Sequence, residues 1–152
     1  MGTTLARLAA AYADAHYFVT IGRSEWLFQV GETATAIERQ LQASSYLFVT
    51  AWNPHGRPAE DEHNREAGEA LQARLQELGW PHLPALGCDS RGGAVEHGWL
   101  VLGTSPEQAE ALGREFLQAG ILHWRAGEPV HLRMLRPAPQ DARDLPHVVW
   151  AE

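Results

Sequence analysis

The sequence predicts an α+β fold in which a mostly antiparallel sheet has helices packed on it as a two-layer sandwich. Short β-rich runs come in pairs separated by glycine-containing turns, which is typical of hairpins and excludes a purely parallel sheet. Between these pairs, apolar residues recur at helical spacing. One run, 45–52, is almost entirely apolar or β-branched, as expected of a central strand that is covered on both faces.

The first third of the chain is predicted to form two helices around a hairpin. Leu5, Leu8 and Tyr12 lie at helical spacing in an alanine-rich run. Thr35 and Glu38 have the spacing of a capping box, in which two side chains bond to backbone groups at a helix start. The predicted elements are a helix over 4–15, strands over 16–21 and 25–30, and a helix over 35–43.

The rest of the chain is predicted to add five strands and two helices. The long helix begins with an acidic turn around Asp61, which suits the positive end of the helix dipole and disfavours a phosphate site there. Ser105, Pro106 and Gln108 form a typical helix start, with serine as the cap and proline in the first turn. The predicted elements are strand 45–52, helix 59–78, strands 83–88 and 95–103, helix 105–120, and strands 121–125 and 130–135.

Length and charge limit the expected domain organisation and partners. The 152 residues fit one domain, placed at 1–136, with a proline-containing tail over 137–152 that is expected to pack loosely. The net charge is −7, and the 12 Lys and Arg residues form no basic stripe, so no nucleic-acid partner is predicted. No apolar stretch reaches the roughly 20 residues that cross a bilayer, and no secretory signal is recognised. We therefore expect a soluble, cytoplasmic protein without a membrane partner.

No pattern for a metal or a cofactor is recognisable. Cys88 is the single cysteine, which excludes an internal disulfide and a cysteine metal site, and it is expected to be buried and inert. No glycine-rich nucleotide-binding pattern occurs. Six other side chains of metal-ligand type are available, but their spacings match no zinc signature: His55, Glu62, His63, Asp89, Glu96 and His97. We predict no metal and no cofactor.

The turn at 53–57, where an apolar strand stops at Asn53, is the most informative polar stretch. Pro54 and Gly56 favour a stiff turn, because proline fixes φ and glycine permits a positive φ. Asn64 continues the apolar face of the following helix backward by one turn, so its amide is expected to be buried. Because an unpaired buried amide costs about 1–3 kcal/mol, Asn64 is expected to bond to the turn, either to hold it or also to face a ligand.

Glu96 is a second polar residue on an apolar face. Side chains alternate along the strand, so Glu96 shares its face with Leu100 and Leu102 and lies at the rim of that face. Such a carboxylate is solvated, paired, or shifted in pKa toward acid–base chemistry. Asp89, in the preceding turn, is expected to bond to the backbone of that turn.

Several motifs together carry a family resemblance. They are Phe48-Val-Thr-Ala-Trp-Asn-Pro54 with Gly56, then Asn64, then Gly87 with Glu96, and finally Leu112-Gly-Arg114 with Phe116 and Gln118. Over about residues 16–135 the chain resembles the bacterial family called domain of unknown function 3293. The resemblance implies a small stand-alone bacterial domain. It supplies candidate site positions but no activity, because none is established for the family.

Two hypotheses follow for the function. The first, which the sequence favours, is a structural or protein-interaction module in which the polar residues form a hydrogen-bonded staple and an exposed tryptophan such as Trp150 contacts an unidentified protein. The alternative is a small polar-ligand-binding protein or enzyme. In that case Asn53, Arg57 and Asn64 bind the ligand, and Glu96 is the candidate catalytic base. Neither a reaction nor an oligomeric state is predicted.

Overall fold

The computed structural model describes residues 4–152, which form four α-helices and one eight-stranded sheet. The helices are α1 (Leu5–Asp14), α2 (Thr35–Leu41), α3 (Asp61–Leu78) and α4 (Pro106–Glu115). The strands are β1 (His16–Ile21), β2 (Ser24–Phe28), β3 (Ser45–Thr50), β4 (His82–Cys88), β5 (Glu96–Leu102), β6 (Gly120–Arg125), β7 (His131–Pro137) and β8 (Val148–Ala151). A 3₁₀ turn covers Pro54–Gly56.

The strand order is β2-β1-β4-β5-β3-β6-β7-β8, and neighbours are antiparallel except for the parallel pair β7–β8. The predicted α+β class with a mostly antiparallel sheet is therefore confirmed. So are the hairpins β1–β2, β4–β5 and β6–β7.

Helices cover both faces of the sheet, so the fold has three layers where the sequence predicted two. All six residues of β3 are buried, and alternate side chains enter different cores. Tyr46 and Phe48 pack in a core that includes α1 and α2, whereas Leu47 and Val49 pack in a second core with α3 and α4. A strand buried on both faces needs a layer on each side, which is why the doubly covered central strand is confirmed and the two-layer prediction is wrong.

The register of β3 and β5 positions the candidate site. Thr50, the last residue of β3, pairs with Gly98, so Glu96 extends beyond the end of β3. A Cβ at residue 98 would lie 3.0 Å from the Thr50 Cβ and closer still to the carbonyl oxygen of Val49. Glycine is needed for this close approach, which brings Glu96 beside Asn53.

The start of α4 agrees with the prediction from the sequence, and the start of α2 does not. The capping box predicted for α4 is present. The one predicted for α2 is not, because the N-cap is Ala34 without a side-chain bond. Glu38 instead accepts hydrogen bonds from the indole of Trp124 (3.2 Å) and from the backbone N–H of Gly127 (2.7 Å), so it holds the β6–β7 hairpin rather than its own helix. Within residues 4–152, none of the helices combines the length and hydrophobicity that crossing a bilayer requires.

The tail contributes an unpredicted strand. β8 pairs with β7 in parallel, with Leu132 opposite Val148, and forms one edge of the sheet. Trp150, expected to be an exposed contact point, is half-buried against the core that contains Tyr46 and Phe48. The last residues of the chain therefore close the sheet instead of packing loosely.

Candidate functional site

The end of β3 is locked by side chains of the sequence motif that follows it. The Thr50 hydroxyl donates to the His97 carbonyl (2.6 Å) and accepts from the Trp52 backbone N–H (3.1 Å). Ala51 is buried in the core beneath α3. The Trp52 ring packs edge-on against His97, with centroids 5.2 Å apart. These contacts fix where the strand ends and the direction in which the backbone continues at Asn53.

The turn after Asn53 has a backbone that most residues adopt reluctantly. Asn53, His55 and Gly56 have φ values of +51°, +58° and +72°. The His55 N–H donates to the Leu117 carbonyl (2.7 Å), which ties the turn to the chain after α4. At Gly56 a Cβ would collide with the Leu8 side chain of α1, so glycine serves both the left-handed conformation and the contact with α1. Non-glycine residues in this conformation often mark functional sites.

Two asparagines connect the turn to α3. The Asn64 Oδ1 accepts from the Asn53 backbone N–H (2.9 Å), and the Asn64 Nδ2 donates to the Asn53 Oδ1 (3.0 Å). That same Asn53 oxygen also accepts from the Ala59 N–H (3.0 Å). Asn64 is only 3% exposed. The expected bond from a buried Asn64 to the turn is therefore present.

Glu96 completes this polar group from the neighbouring strand. The Asn53 Nδ2 donates to the Glu96 Oε2 at 2.5 Å. Burial raises the pKa of the Glu96 carboxyl, and the hydrogen bond from Asn53 offsets part of that rise. Asn64 thus fixes Asn53, and Asn53 in turn fixes the carboxylate, which places three of the four predicted site residues together.

A cavity of about 390 Å³ lies between α1 and the sheet, and Glu96 and Asn53 line it. Its walls are mostly apolar, with Phe48 and Tyr17 on one side and strands β6 and β7 on another. Small residues in α1, directly after it and near the strand ends leave this volume unfilled: Ala11, Ala15, Gly87 and Gly120. The sequence did not predict a cavity, because it cannot show how far an alanine-rich helix leaves the sheet uncovered.

Two tyrosines border the same cavity and were not identified from the sequence as site residues. The Tyr17 hydroxyl donates to the Tyr12 carbonyl (2.7 Å). Burial raises the pKa of both phenols, and the nearby charge of Glu96 adds to the rise. Tyr12 appeared in the sequence only as part of the buried stripe of a helix, and Tyr17 only as a strand residue.

Gln118 is a further residue whose position the sequence left unexplained. It is buried, it lines the cavity, and its Nε2 donates to the carbonyls of Trp52 and Phe116, both at 3.2 Å. It therefore joins the chain after α4 to the end of the motif at β3. The sequence offered one signal for this role, because Gln118 is among the motif residues on which the family resemblance rests.

The remaining predicted residues lie at the margin of this site or outside it. Arg57 is exposed and does not line the cavity. Asp89 lies at the cavity rim and accepts from the N–H groups of Arg91 (2.9 Å) and Gly93 (2.8 Å), as expected of a turn former. Cys88 is buried, and burial followed by the nearby Asp89 raises the pKa of its thiol, which keeps it a weak nucleophile.

The chemistry available at this site is mainly that of the Glu96 carboxyl group, with Asp89 as a second carboxylate at the cavity rim. Among the described residues, no group of three or more His, Cys, Asp or Glu side chains is placed to hold a metal ion. A carboxyl group in an apolar cavity, with a raised pKa and a fixed orientation, is suited to accept or donate a proton or to anchor a hydrogen-bond donor.

Comparison with known proteins yields a family match. The model of a family described as "Protein of unknown function (DUF3293)" matches residues 49–121. That segment holds the polar side of the cavity, formed by Asn53, Glu96 and Gln118, whereas Tyr12 and Tyr17 precede it. No curated protein and no solved structure gives a significant match. The match over residues 49–121 confirms the resemblance to the DUF3293 family that the sequence motifs predict.

Proposed function

We propose that this protein binds a small molecule in the cavity beneath α1 and that Glu96 is the polar group that engages it. The observation that carries the proposal is the Glu96 carboxylate, which lines a mostly apolar cavity of about 390 Å³ and is held there by Asn53. Cavities of roughly 300–1,000 Å³ with apolar walls and a few polar groups are typical of small-molecule sites.

The polar residues have two different roles, which are ligand contact and the positioning of the contacting residues. Glu96 and Asn53 line the cavity, whereas the side-chain bonds of Asn64 go to Asn53 and Ala59. Asn64 is therefore a positioning residue that staples the turn, as the structural hypothesis expects of it. The raised pKa of Glu96 suits it to exchange a proton with the bound molecule, which is the role that an acid–base enzyme would use.

Blocking the cavity from its rim tests the proposal. Ala10 and Ala11 are adjacent exposed alanines of α1, but Ala11 lines the cavity and Ala10 does not. A fragment library with cationic, neutral and anionic members is screened by saturation-transfer NMR against the parent, Ala11→Trp and Ala10→Trp. We expect fragments that bind the parent and Ala10→Trp but not Ala11→Trp.

A second variant guards against indirect effects of the tryptophan. Leu122 lines the cavity floor, and Leu122→Phe adds volume there without altering α1. Fragments lost in Ala11→Trp are expected to weaken in Leu122→Phe as well. The proposal is overturned if no fragment binds the parent, or if every fragment binds the parent and both cavity variants equally.

A further inference from the structure

We propose that the ligand of this site presents a cationic hydrogen-bond donor, such as a primary ammonium or an amidinium, to Glu96, and that an apolar body joined to it fills the rest of the cavity. This inference rests on the proposed function, since it specifies the chemistry of the molecule that the same cavity binds. Three properties of the cavity lining carry it: its hydrogen-bonding capacity, its charge and its aromatic rings.

Most of the side-chain N–H and O–H donors around the cavity are committed to protein acceptors. The Thr50 hydroxyl donates to a carbonyl, and so does the Tyr17 hydroxyl. The Asn53 amide donates to Glu96, and the Gln118 amide donates to two carbonyls. The side-chain donors that remain on the described lining are the Tyr12 hydroxyl, the second N–H of the Asn53 amide and the weak S–H of Cys88. A ligand group that needs several donors from the protein, such as a carboxylate or a phosphate, is poorly served here.

Glu96, in contrast, keeps unused hydrogen-bond acceptor positions. An ionised carboxylate offers about four acceptor positions. Among the described side chains, Asn53 is the one that hydrogen-bonds to Glu96, and it occupies one oxygen. The positions left over suit an ammonium group, which has three donors and no acceptor. Hydrogen bonds between such charged groups are about twice as strong as neutral ones.

The charge on the cavity lining has one sign. Glu96 and Asp89 are the charged residues of the described lining, and no Lys, Arg or His is among them. The whole chain carries a net charge of −7. An anion entering this cavity would lie near two carboxylates in a partly desolvated space, where like charges repel more strongly than in water. A cation would instead relieve the cost of burying Glu96.

The aromatic residues add to this preference. Tyr12, Tyr17 and Phe48 line the cavity together with Glu96, and the rings of Tyr17 and Phe48 lie 5.2 Å apart edge to face. Aromatic rings attract cations through their negative faces and also pack against apolar groups. A compound with an apolar ring and an amino group a few bonds away matches both parts of the cavity.

Three probes of similar size and different charge test the inference: 2-phenylethylamine, 2-phenylethanol and 3-phenylpropionate. Their dissociation constants are measured by NMR titration at pH 8 with the parent, Glu96→Gln and Ala11→Trp. We expect the parent to bind the amine at least about tenfold more tightly than the alcohol, with the anion weakest. Glu96→Gln is expected to remove this preference for the amine while it still binds the alcohol, which shows that the cavity is intact.

The outcomes separate this inference from the proposed function. If Ala11→Trp blocks the alcohol or the anion but the parent shows no preference for the amine, the cavity binds small molecules and the cationic inference is wrong. The inference is also wrong if Glu96→Gln keeps the full preference for the amine. If none of the probes binds in a way that Ala11→Trp blocks, and no library fragment does so either, both proposals fall.

Discussion

The two faces of the sheet differ most around β3. On the face covered by α3 and α4, Leu47 is fully buried and packs in one core with Leu71 and Leu75. On the face covered by α1, Phe48 and Thr50 border a cavity of about 390 Å³. The strand is the same, so the difference comes from the helices: one pair supplies leucines, and the other face receives the alanines of α1.

This contrast shows how the molecule combines a rigid support with an open site. The packed face fixes α3, and α3 carries Asn64, which holds Asn53 and through it Glu96. The open face receives the carboxylate. Rigid packing on one side of β3 therefore positions a polar group on the other side, as functional sites require.

The largest expected effect tests the packing difference itself. Leu47 and Leu122 lie on neighbouring strands and are 0% and 2% exposed, but only Leu122 lines the cavity. Leu47→Ala is expected to lower the free energy of unfolding by about 2–5 kcal/mol, since it opens a void in a packed core. Leu122→Ala is expected to cost less, toward about 2 kcal/mol, because its side chain has fewer neighbours to lose. Urea denaturation measures both, and equal costs would contradict the comparison.

Asn64→Ala tests the link between the two faces and ranks next. It leaves the Asn53 N–H without its acceptor and is expected to cost about 1–3 kcal/mol. Glu66→Ala, an exposed position on the same helix, is the control and is expected to change stability by no more than about 0.5 kcal/mol. If Asn64→Ala unfolds at the same urea concentration as the parent, the asparagine is not a staple.

A smaller, pH-dependent effect is expected from Glu96→Gln. Because burial raises the pKa of Glu96, the folded state holds its proton more tightly than the unfolded state, so this group's contribution to stability falls as pH rises through the folded pKa. The melting temperature of Glu96→Gln minus that of the parent should therefore increase as the pH rises from the unfolded-state pKa of Glu96 to its folded-state pKa. Above the folded-state pKa the difference should level off. Burial also raises the pKa values of Tyr12, Tyr17 and Cys88, so these three groups stay neutral over the pH range in which Glu96 titrates.

Thermal unfolding between pH 4 and pH 8 gives this difference directly. Glu66→Gln removes one exposed carboxyl group from α3 and is the control for the change in net charge. A difference for Glu96→Gln that is flat across the range, or that declines with pH, would mean that Glu96 is not disfavoured as a charged group in the folded protein.

Arg57→Ala should have the smallest effect, although the sequence placed Arg57 among the ligand-binding residues. Its side chain is exposed and does not line the cavity. We expect a change in stability within about 0.5 kcal/mol and unchanged dissociation constants for the three aromatic probes. Weaker binding of any probe would show that the site extends over the turn to Arg57.

The sequence predicts the polar part of this site better than its shape. Asn64 interrupts an apolar helix face and Glu96 begins an apolar strand face, so periodicity alone marks both residues as exceptions. Their neighbourhood follows from strand order, since the antiparallel pairing of β3 with β5 brings the end of one strand to the start of the other. The role of Gln118, which lies after α4, depends on how α4 packs, and no local pattern carries that information.

The cavity could not be predicted in the same way, whereas the predicted burial of β3 on both faces already called for a layer on each side of the sheet. A helix with an alanine at position 11 and another just after its end, at position 15, has the same pattern whether it lies flat on a sheet or stands away from it. The difference depends on the volumes of the side chains that meet it, such as Tyr17 and Phe48, and on the contact of Leu8 with Gly56. Glu38 shows a similar limit, because its capping-box spacing is real but hydrogen bonds to a distant hairpin replace the local ones.

The family match stops short of the aromatic side of the cavity. On the proposed function, the carboxylate that would bind the charged end of the ligand lies within residues 49–121, whereas Ala11, Tyr12, Ala15 and Tyr17 on the apolar side precede that segment. Exchanging the N-terminal helix between relatives would then give new binding preferences around an unchanged proton acceptor. The same helix is the place to begin if this cavity is to be redesigned for a ligand of another shape.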